Sequence, residues 1–216
     1  SAHKRLEAQL RQTLEQQVEL NALKSRFVAM AAHDLRTPLS VIQTAIELFR
    51  RYNERMTDAQ REERYERVEA SIGFMITLLD DILLIGKTES RTLAPNLQPV
   101  ELSALCREIV TEIEQTGAAE HKVVFECEAQ SQNTVTDPRL LRHVLSNLLD
   151  NAAKYSPAGS TIYFGVTCAA ERATFTVRDE GIGIAQDDLD RLFEPFFRAD
   201  SVVSAQGTGL GLAIVK

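Results

Sequence analysis

The chain has 216 residues, is 44% hydrophobic and carries a net charge of −7. That length suits one or two domains with a sizeable core. The acidic balance argues against a nucleic-acid partner, which calls for a basic surface.

Residues 1–30 read as a long charged helix without Gly or Pro. Leu6, Leu10, Thr13, Leu20 and Phe27 fall on a 3–4 seam interrupted by Gln17 and Lys24, a mediocre coiled coil. The same helix runs into a better seam at Leu39, Ile42, Ile46 and Phe49. The polar stretch Arg50–Arg64 holds a turn near Asn53–Asp58. A second helix follows with Val68, Ile72, Met75, Leu79 and Ile82 on one stripe. Two amphipathic helices joined by a short turn form an antiparallel hairpin. One hairpin buries both stripes poorly, and two make a four-helix bundle, so a homodimer is expected.

The helical pattern fades near Gly86, and residues 87–99 carry two prolines and small polar residues, a linker. Leu102–Gln115 reads as helix and Val123–Cys127 as strand. Asp137 and Pro138 cap and start a helix that runs to about Tyr155. Thr161–Thr167 and Ala173–Arg178 read as a hairpin. A short helix at Asp187–Phe193, a loop and a glycine-rich segment opening a final helix complete the chain. This mixture suggests a sheet covered on one face by helices.

Cys106, Cys127 and Cys168 are far apart, with no CxxC or Cys/His metal spacing. Buried thiols in a reducing compartment are expected. No apolar run approaches the ~18 residues of a membrane span. The opening SAHKRLEAQL is no signal peptide. A cytoplasmic location is expected, any membrane anchor lying in a part of the parent protein not included here.

Two groups of residues carry chemistry. The first is Phe27–Leu39, FVAMAAHDLRTPL, with His33 on a helix. A largely neutral imidazole near pH 7 has a nucleophilic nitrogen that can accept a phosphoryl group. Asp34 can hold the other ring N–H, fix the tautomer and stabilise developing positive charge. Thr37 lies four residues on, so its hydroxyl can position a water for the reverse hydrolysis. The remaining histidines, His3, His121 and His143, have no such setting.

The second group is NLLDNAAKYS at 147–156, DEGIGI at 179–184 and GTGLGLAIVK at 207–216. Asn147, Asn151 and Lys154 share one helix face. Amide oxygens are hard ligands suited to Mg²⁺, and Lys154 can meet phosphate. Asp179 ends a strand where a carboxylate can accept from an adenine amine, and Gly181 and Gly183 free the backbone. In the last segment, Gly207, Thr208, Gly209, Leu210 and Gly211 lead into a helix whose N-terminus is an anion site. No GxxxxGK[ST] occurs, so a P-loop fold is disfavoured.

HDLRTPL closely resembles the phosphoacceptor box of bacterial sensor histidine kinases. The later segments resemble the N, G1, F and G2 boxes of the family's ATP-binding domain, LFEPFFR at 192–198 matching the F box. The fold implied is multidomain, α and α+β. A helical hairpin forming a dimeric four-helix bundle precedes an α/β sandwich of the gyrase and chaperone ATPase type.

The implied organisation is a signalling helix at 1–22, a dimerisation and phosphotransfer domain at 23–88, a linker at 89–98 and an ATP-binding domain from 99 to 216. The family continues past the last helix, which implies an ATP-binding domain incomplete at its C-terminal end. By resemblance Asn151 is the Mg²⁺ ligand and Asp179 the adenine reader. Lys154 and Arg198 contact phosphate, and Tyr155 packs on the nucleotide. Phe193, Phe196 and Phe197 anchor a lid at Ala199–Gln206.

The activity implied is ATP-dependent autophosphorylation of His33, then transfer to an aspartate on a response-regulator receiver domain, with regulator dephosphorylation as an added capacity. A dimeric nucleotide-binding scaffold without kinase activity is the alternative. A hydrolytic ATPase is disfavoured. Such relatives carry a glutamate base four residues before the metal-binding Asn, where this chain has Asn147.

Overall fold

The computed structural model describes residues 2–52, 55–90, 92–116, 121–128, 133–169, 172–198 and 208–215. Two compact units divide the chain, Ser1–Ile82 and Leu83–Lys216.

The first unit is a helical hairpin. Helix α1 runs unbroken over Ala2–Tyr52, with Pro38 inside it, and α2 spans Asp58–Glu89. The start of α2 is fixed by a reciprocal capping box. The Gln60 N–H donates to Thr57 Oγ1 and the Thr57 N–H donates to Gln60 Oε1, at 3.2 and 3.1 Å. Ala31, Pro38 and Ala45 on α1 and Leu78, Asp81 and Ile85 on α2 are buried. The Phe49 and Tyr65 rings stack at 4.9 Å across the hairpin. Not all of the expected stripe is interior. Leu39, Ile46, Ile72 and Leu79 stay exposed, joined by Ile76. On the leading seam Leu10 and Thr13 are exposed, and the side chains of Leu6, Leu20 and Lys24 lie outside the described residues, as does Asn53.

The helix α2 outruns the expected stop at Gly86 and continues through Lys87 to Glu89. An exposed helical glycine costs only about 1 kcal/mol against alanine, and no atom lies within 4 Å of a Cβ placed on Gly86. The stretch expected to be linker also contains strand β1, Gln98–Glu101. It pairs antiparallel with β3, Asn133–Thr136, placing Val100 opposite Thr134.

The core of the second unit lies between helices and a three-stranded sheet. Helices α3, Leu102–Thr116, and α4, Pro138–Tyr155, supply Cys106, Ile109, Leu145 and Leu149. Strand β2, Lys122–Cys127, pairs parallel with β4, Thr161–Ala169, which pairs antiparallel with β5, Arg172–Arg178. Burial alternates along β4, with Ile162, Phe164 and Val166 inside. That period of two marks a sheet covered on one face. Arg142 of α4 clamps Glu108 and Glu112 of α3 at 2.6 and 2.8 Å. The three cysteines are thiols gathered on this core, and burial first, then the neighbouring thiols, push Cys106 up to about 12.

Asp137 caps α4 by accepting from the Arg139 and Leu140 N–H groups, and its second oxygen accepts from the Asn96 N–H at 2.8 Å. One buried carboxylate thus ties the segment before β1 to the helix that carries Asn147 and Asn151. The expected helix at Asp187–Phe193 is instead a 3₁₀ turn, Gln186–Arg191. The final helix, α5, is Gly211–Val215.

Candidate active site

His33 stands out from α1 with 75% of its side chain exposed. Its Nδ1 lies 3.2 Å from Asp34 Oδ1. In the tautomer that donates from Nδ1 to the carboxylate, Nε2 keeps its lone pair. Thr37, also exposed, lies one turn further on. Beside them runs a groove of about 500 Å³ lined by His33, Arg36 and Thr37 from α1 and by Arg64 and Arg67 from α2. The two α2 arginines fall in or next to the stretch read from sequence simply as polar. Their i, i+3 spacing signals a shared helix face, which the hairpin sets near Phe49, at the end of the groove away from His33.

In the second unit, α4 is the mount for the glycine-rich segments. The Asn147 amide donates from Nδ2 to the His143 carbonyl at 3.0 Å. A Cβ on Gly211 would come within 2.6 Å of Asn147 Oδ1, so the start of α5 is seated against that side chain. Asn147 thereby fastens α5 to α4. Asn151 is half-buried one turn on, and the Lys154 Nζ sits 4.8 Å from the centre of the Tyr155 ring.

The loop after β5 docks on the end of α4. The Ile182 N–H donates to the Tyr155 carbonyl at 3.3 Å, and the Gly181 N–H donates to Asp179 Oδ1 at 2.8 Å. A Cβ on Gly181 would lie 2.6 Å from that oxygen and 2.8 Å from the Tyr155 carbonyl oxygen. Only glycine fits there. Gly183 has φ +70° in open space, so its requirement is conformational alone.

The Leu192–Arg198 region meets the last glycine segment directly. The Phe196 N–H donates to the Gly209 carbonyl at 2.9 Å, and Phe196 itself has φ 63°. Gly209 has φ +69°, and a Cβ there would lie 2.9 Å from the Phe196 Cα. Thr208 Oγ1 accepts from the Leu210 N–H at 3.2 Å, and Leu210 is fully buried. Phe193 is exposed, Phe197 stacks under Arg191 at 4.4 Å, and Arg198 is half-buried. Gly207, the Ala199–Gln206 loop and Lys216 lie outside the described residues.

Four segments remote in sequence therefore interlock through three contacts: Gly181 on Tyr155, Gly211 on Asn147, and Gly209 on Phe196. Sequence reasoning had no signal for two of these fasteners, the Asn147–Gly211 contact and the left-handed Phe196.

Residues 23–91 match the family described as the His Kinase A (phospho-acceptor) domain. Residues 136–216 match the histidine kinase-, DNA gyrase B- and HSP90-like ATPase family. The chain belongs to the sensor histidine kinases. It is 34% identical to the circadian input-output histidine kinase CikA of Synechococcus elongatus over 91% of this chain and 27% of that protein. It is 32% identical to the adaptive-response sensory kinase SasA of a Nostoc species over 96% of this chain and 54% of the relative. The chain thus spans between about a quarter and a half of these relatives. Among solved structures, the Acinetobacter baumannii histidine kinase AdeS superposes with a TM-score of 0.61 at 26% identity, covering 85% of this chain and 83% of AdeS. The hairpin followed by a helix-covered sheet is the architecture expected of a histidine kinase core. No helix among the described residues is long and apolar enough to cross a membrane.

Proposed function

We propose that the chain is the autophosphorylating core of a sensor histidine kinase. It moves the γ-phosphoryl group of ATP to Nε2 of His33 and passes it to an aspartate on a response-regulator receiver domain. The observation that carries this reading is the exposed His33 with Nδ1 held on Asp34. The Nε2 lone pair attacks the γ-phosphorus as the bond to the β–γ bridging oxygen breaks and ADP leaves. The imidazole becomes cationic, and Asp34 stabilises that charge without taking the proton. Thr37 is placed to hold water for dephosphorylation.

ATP is read by Asp179. One of its oxygens is used by the Gly181 N–H, which leaves the other for the adenine amine. With Asn147 committed to α5, Asn151 is the amide that would hold Mg²⁺ beside the phosphates. Mg²⁺ supplies neutralisation of the polyphosphate charge. Lys154, Arg198 and the Thr208–Gly211 segment complete the phosphate side, and the site holds ATP rather than hydrolysing it because Asn147 is no base. The domain limits proposed are 1–22, 23–88, 89–98 and 99–216.

A homodimer is part of this reading. Ile46, Ile72 and Leu79 remain 50%, 43% and 48% exposed within one chain, an apolar stripe that a second hairpin would cover.

The test is incubation of the parent protein's cytoplasmic portion with γ-labelled ATP. An acid-labile, base-stable label is expected, absent from His33→Gln while nucleotide binding stays near normal. Substantial labelling of that variant would refute His33 as acceptor.

A further inference from the structure

The segment that leaves α2 is held at both ends by hydrogen bonds inside the second unit. The Thr92 and Leu93 N–H groups both donate to the Lys87 carbonyl, at 3.0 and 3.2 Å. Ser90 donates its N–H and its Oγ hydroxyl to the Gly86 carbonyl, at 3.1 and 2.8 Å. Carbonyls that a helix end leaves open are thereby met, and the chain is bound back onto α2 as far as Leu93. The next anchor is Asn96, whose N–H donates to Asp137 Oδ2 at 2.8 Å. Ladder pairing starts at Gln98, opposite Thr136. Ala94 and Pro95 are all that lies between the two anchors, and both are exposed. Proline fixes its own φ and holds the residue before it extended, so this bridge is short and stiff.

Asp137 divides its oxygens between two tasks. Oδ1 caps α4 through the Arg139 and Leu140 N–H groups, at 2.9 and 3.3 Å. Oδ2 serves the linker, and a second claimant stands beside it. The Arg139 guanidinium lies 3.8 Å from Oδ2 with 79% of its side chain exposed. Asn96 can therefore leave without stranding a buried carboxylate, because Arg139 moves in while the cap stays. From this we infer that Asp137 is a releasable clasp on the linker, a positioning residue for phosphoryl delivery. Closed, it limits the compliant stretch to Ala94 and Pro95. Open, it frees Asn96 and Leu97 as well and adds about 7 Å of reach. The inference rests on the proposed function, in which His33 receives from the ATP-binding domain and is then cleared for a receiver. That domain must change place on this strap, and a short stiff strap slows the change.

The experiment uses the parent protein's cytoplasmic portion. Asp137→Ser keeps an N-cap oxygen for α4 but has no second oxygen for Asn96. Insertion of Gly-Ser between Ala94 and Pro95 lengthens the compliant stretch equally and leaves Asp137 untouched. Dyes carried on non-canonical amino acids at Glu62 on α2 and Thr167 on β4, both exposed, report the spread of separations by time-resolved energy transfer without ATP. Both variants should broaden that spread to a similar extent. At saturating ATP both should label His33 roughly fivefold faster, the factor carried by one ordinary hydrogen bond lost from the closed state. Their ATP affinity should stay within about twofold of the parent's. Arg139→Ala removes the competing cation and should shift spread and rate the other way.

An Asp137→Ser spread that matches the parent's while the insertion broadens it would overturn the inference. So would broadening in both with no gain in rate, or an Arg139→Ala variant that broadens the spread. Loss of ATP affinity in Asp137→Ser would do the same, since it marks damage to α4 instead of a released strap. If the parent fails to label from ATP while the spreads behave as expected, the clasp stands and the kinase reading alone falls.

Discussion

Replacing Gly209 by alanine separates two kinds of glycine requirement, because Gly183 provides a matched control. Both have φ near +70°, but a Cβ on Gly183 meets nothing within 4 Å, whereas one on Gly209 meets Phe196 backbone atoms at 2.9 Å. The left-handed backbone costs a non-glycine residue about 1–2 kcal/mol, and this is the whole cost expected for Gly183→Ala. Gly209→Ala adds a contact that cannot relax through a side chain, because its partner is backbone. Overpacking of that kind costs about 1–3 kcal/mol, bringing the expected total to about 2–5 kcal/mol. The readout is local: the Phe196 N–H, bonded to the Gly209 carbonyl at 2.9 Å, should exchange with solvent roughly thirtyfold faster or more in Gly209→Ala, as a loss of about 2 kcal/mol requires. Gly183→Ala should leave Phe196 protection nearly unchanged. Equal acceleration in both variants, or less than about threefold in Gly209→Ala, would refute the contact argument.

Gly181→Ala should weaken ATP binding by at least about tenfold, corresponding to ~1.4 kcal/mol, by pushing Asp179 off its Gly181 N–H bond; calorimetry showing parent-like affinity would contradict this. Asp137 is held below the usual carboxylate range chiefly by the Asn96 N–H, then by the Leu140 and Arg139 N–H groups, against the opposing effect of burial. A depressed folded value means the ionised form stabilises the fold fully above the unfolded value of about 3.9 and loses that effect as pH falls through the folded value. The stability gap between the parent and Asp137→Asn should therefore be flat above about pH 5 and close below about pH 4 in denaturant titrations; a gap independent of pH would remove the cap from the account. Ile46→Glu combined with Ile72→Glu should split the dimer or unfold the hairpin by burying charge, and light scattering that finds the double variant dimeric with undiminished thermal stability would exclude this face as the interface.

The elements most legible in the sequence were those with local grammar. The Asp137-Pro138 start of α4, the alternation in β4 and β5, and the HDLRTPL box each announce themselves within a dozen residues. The two four-residue strands β1 and β3 do not. Pro99 sits inside one, and their pairing spans more than 30 residues, so nothing local signals the ladder. The end of α2 was misplaced because Gly86 looked like a stop, whereas a solvated glycine is a modest penalty in a long helix. At the candidate site the residue types were legible but their couplings were not. Asn147 reads as one more polar position on a helix face, and only the fold reveals Gly211 pressed against its amide. Arg64 and Arg67 likewise read as solvated charge, and only the hairpin sets them on the wall of the groove.

The continuity of α1 has a mechanical corollary. From Ala2 to His33 the helix advances about 46 Å at 1.5 Å per residue with no interruption, so a torque applied at its leading end reaches the imidazole as a change of bearing. Pro38 lacks the N–H that would close the turn onto the Asp34 carbonyl. The one missing rung in this shaft therefore falls at the residue that steadies the His33 ring. A bend there would turn the His33 ring while the helical segments on either side keep their own ladders. A bend imposed on α1 would therefore be resisted least beside Asp34 and the His33 ring it holds.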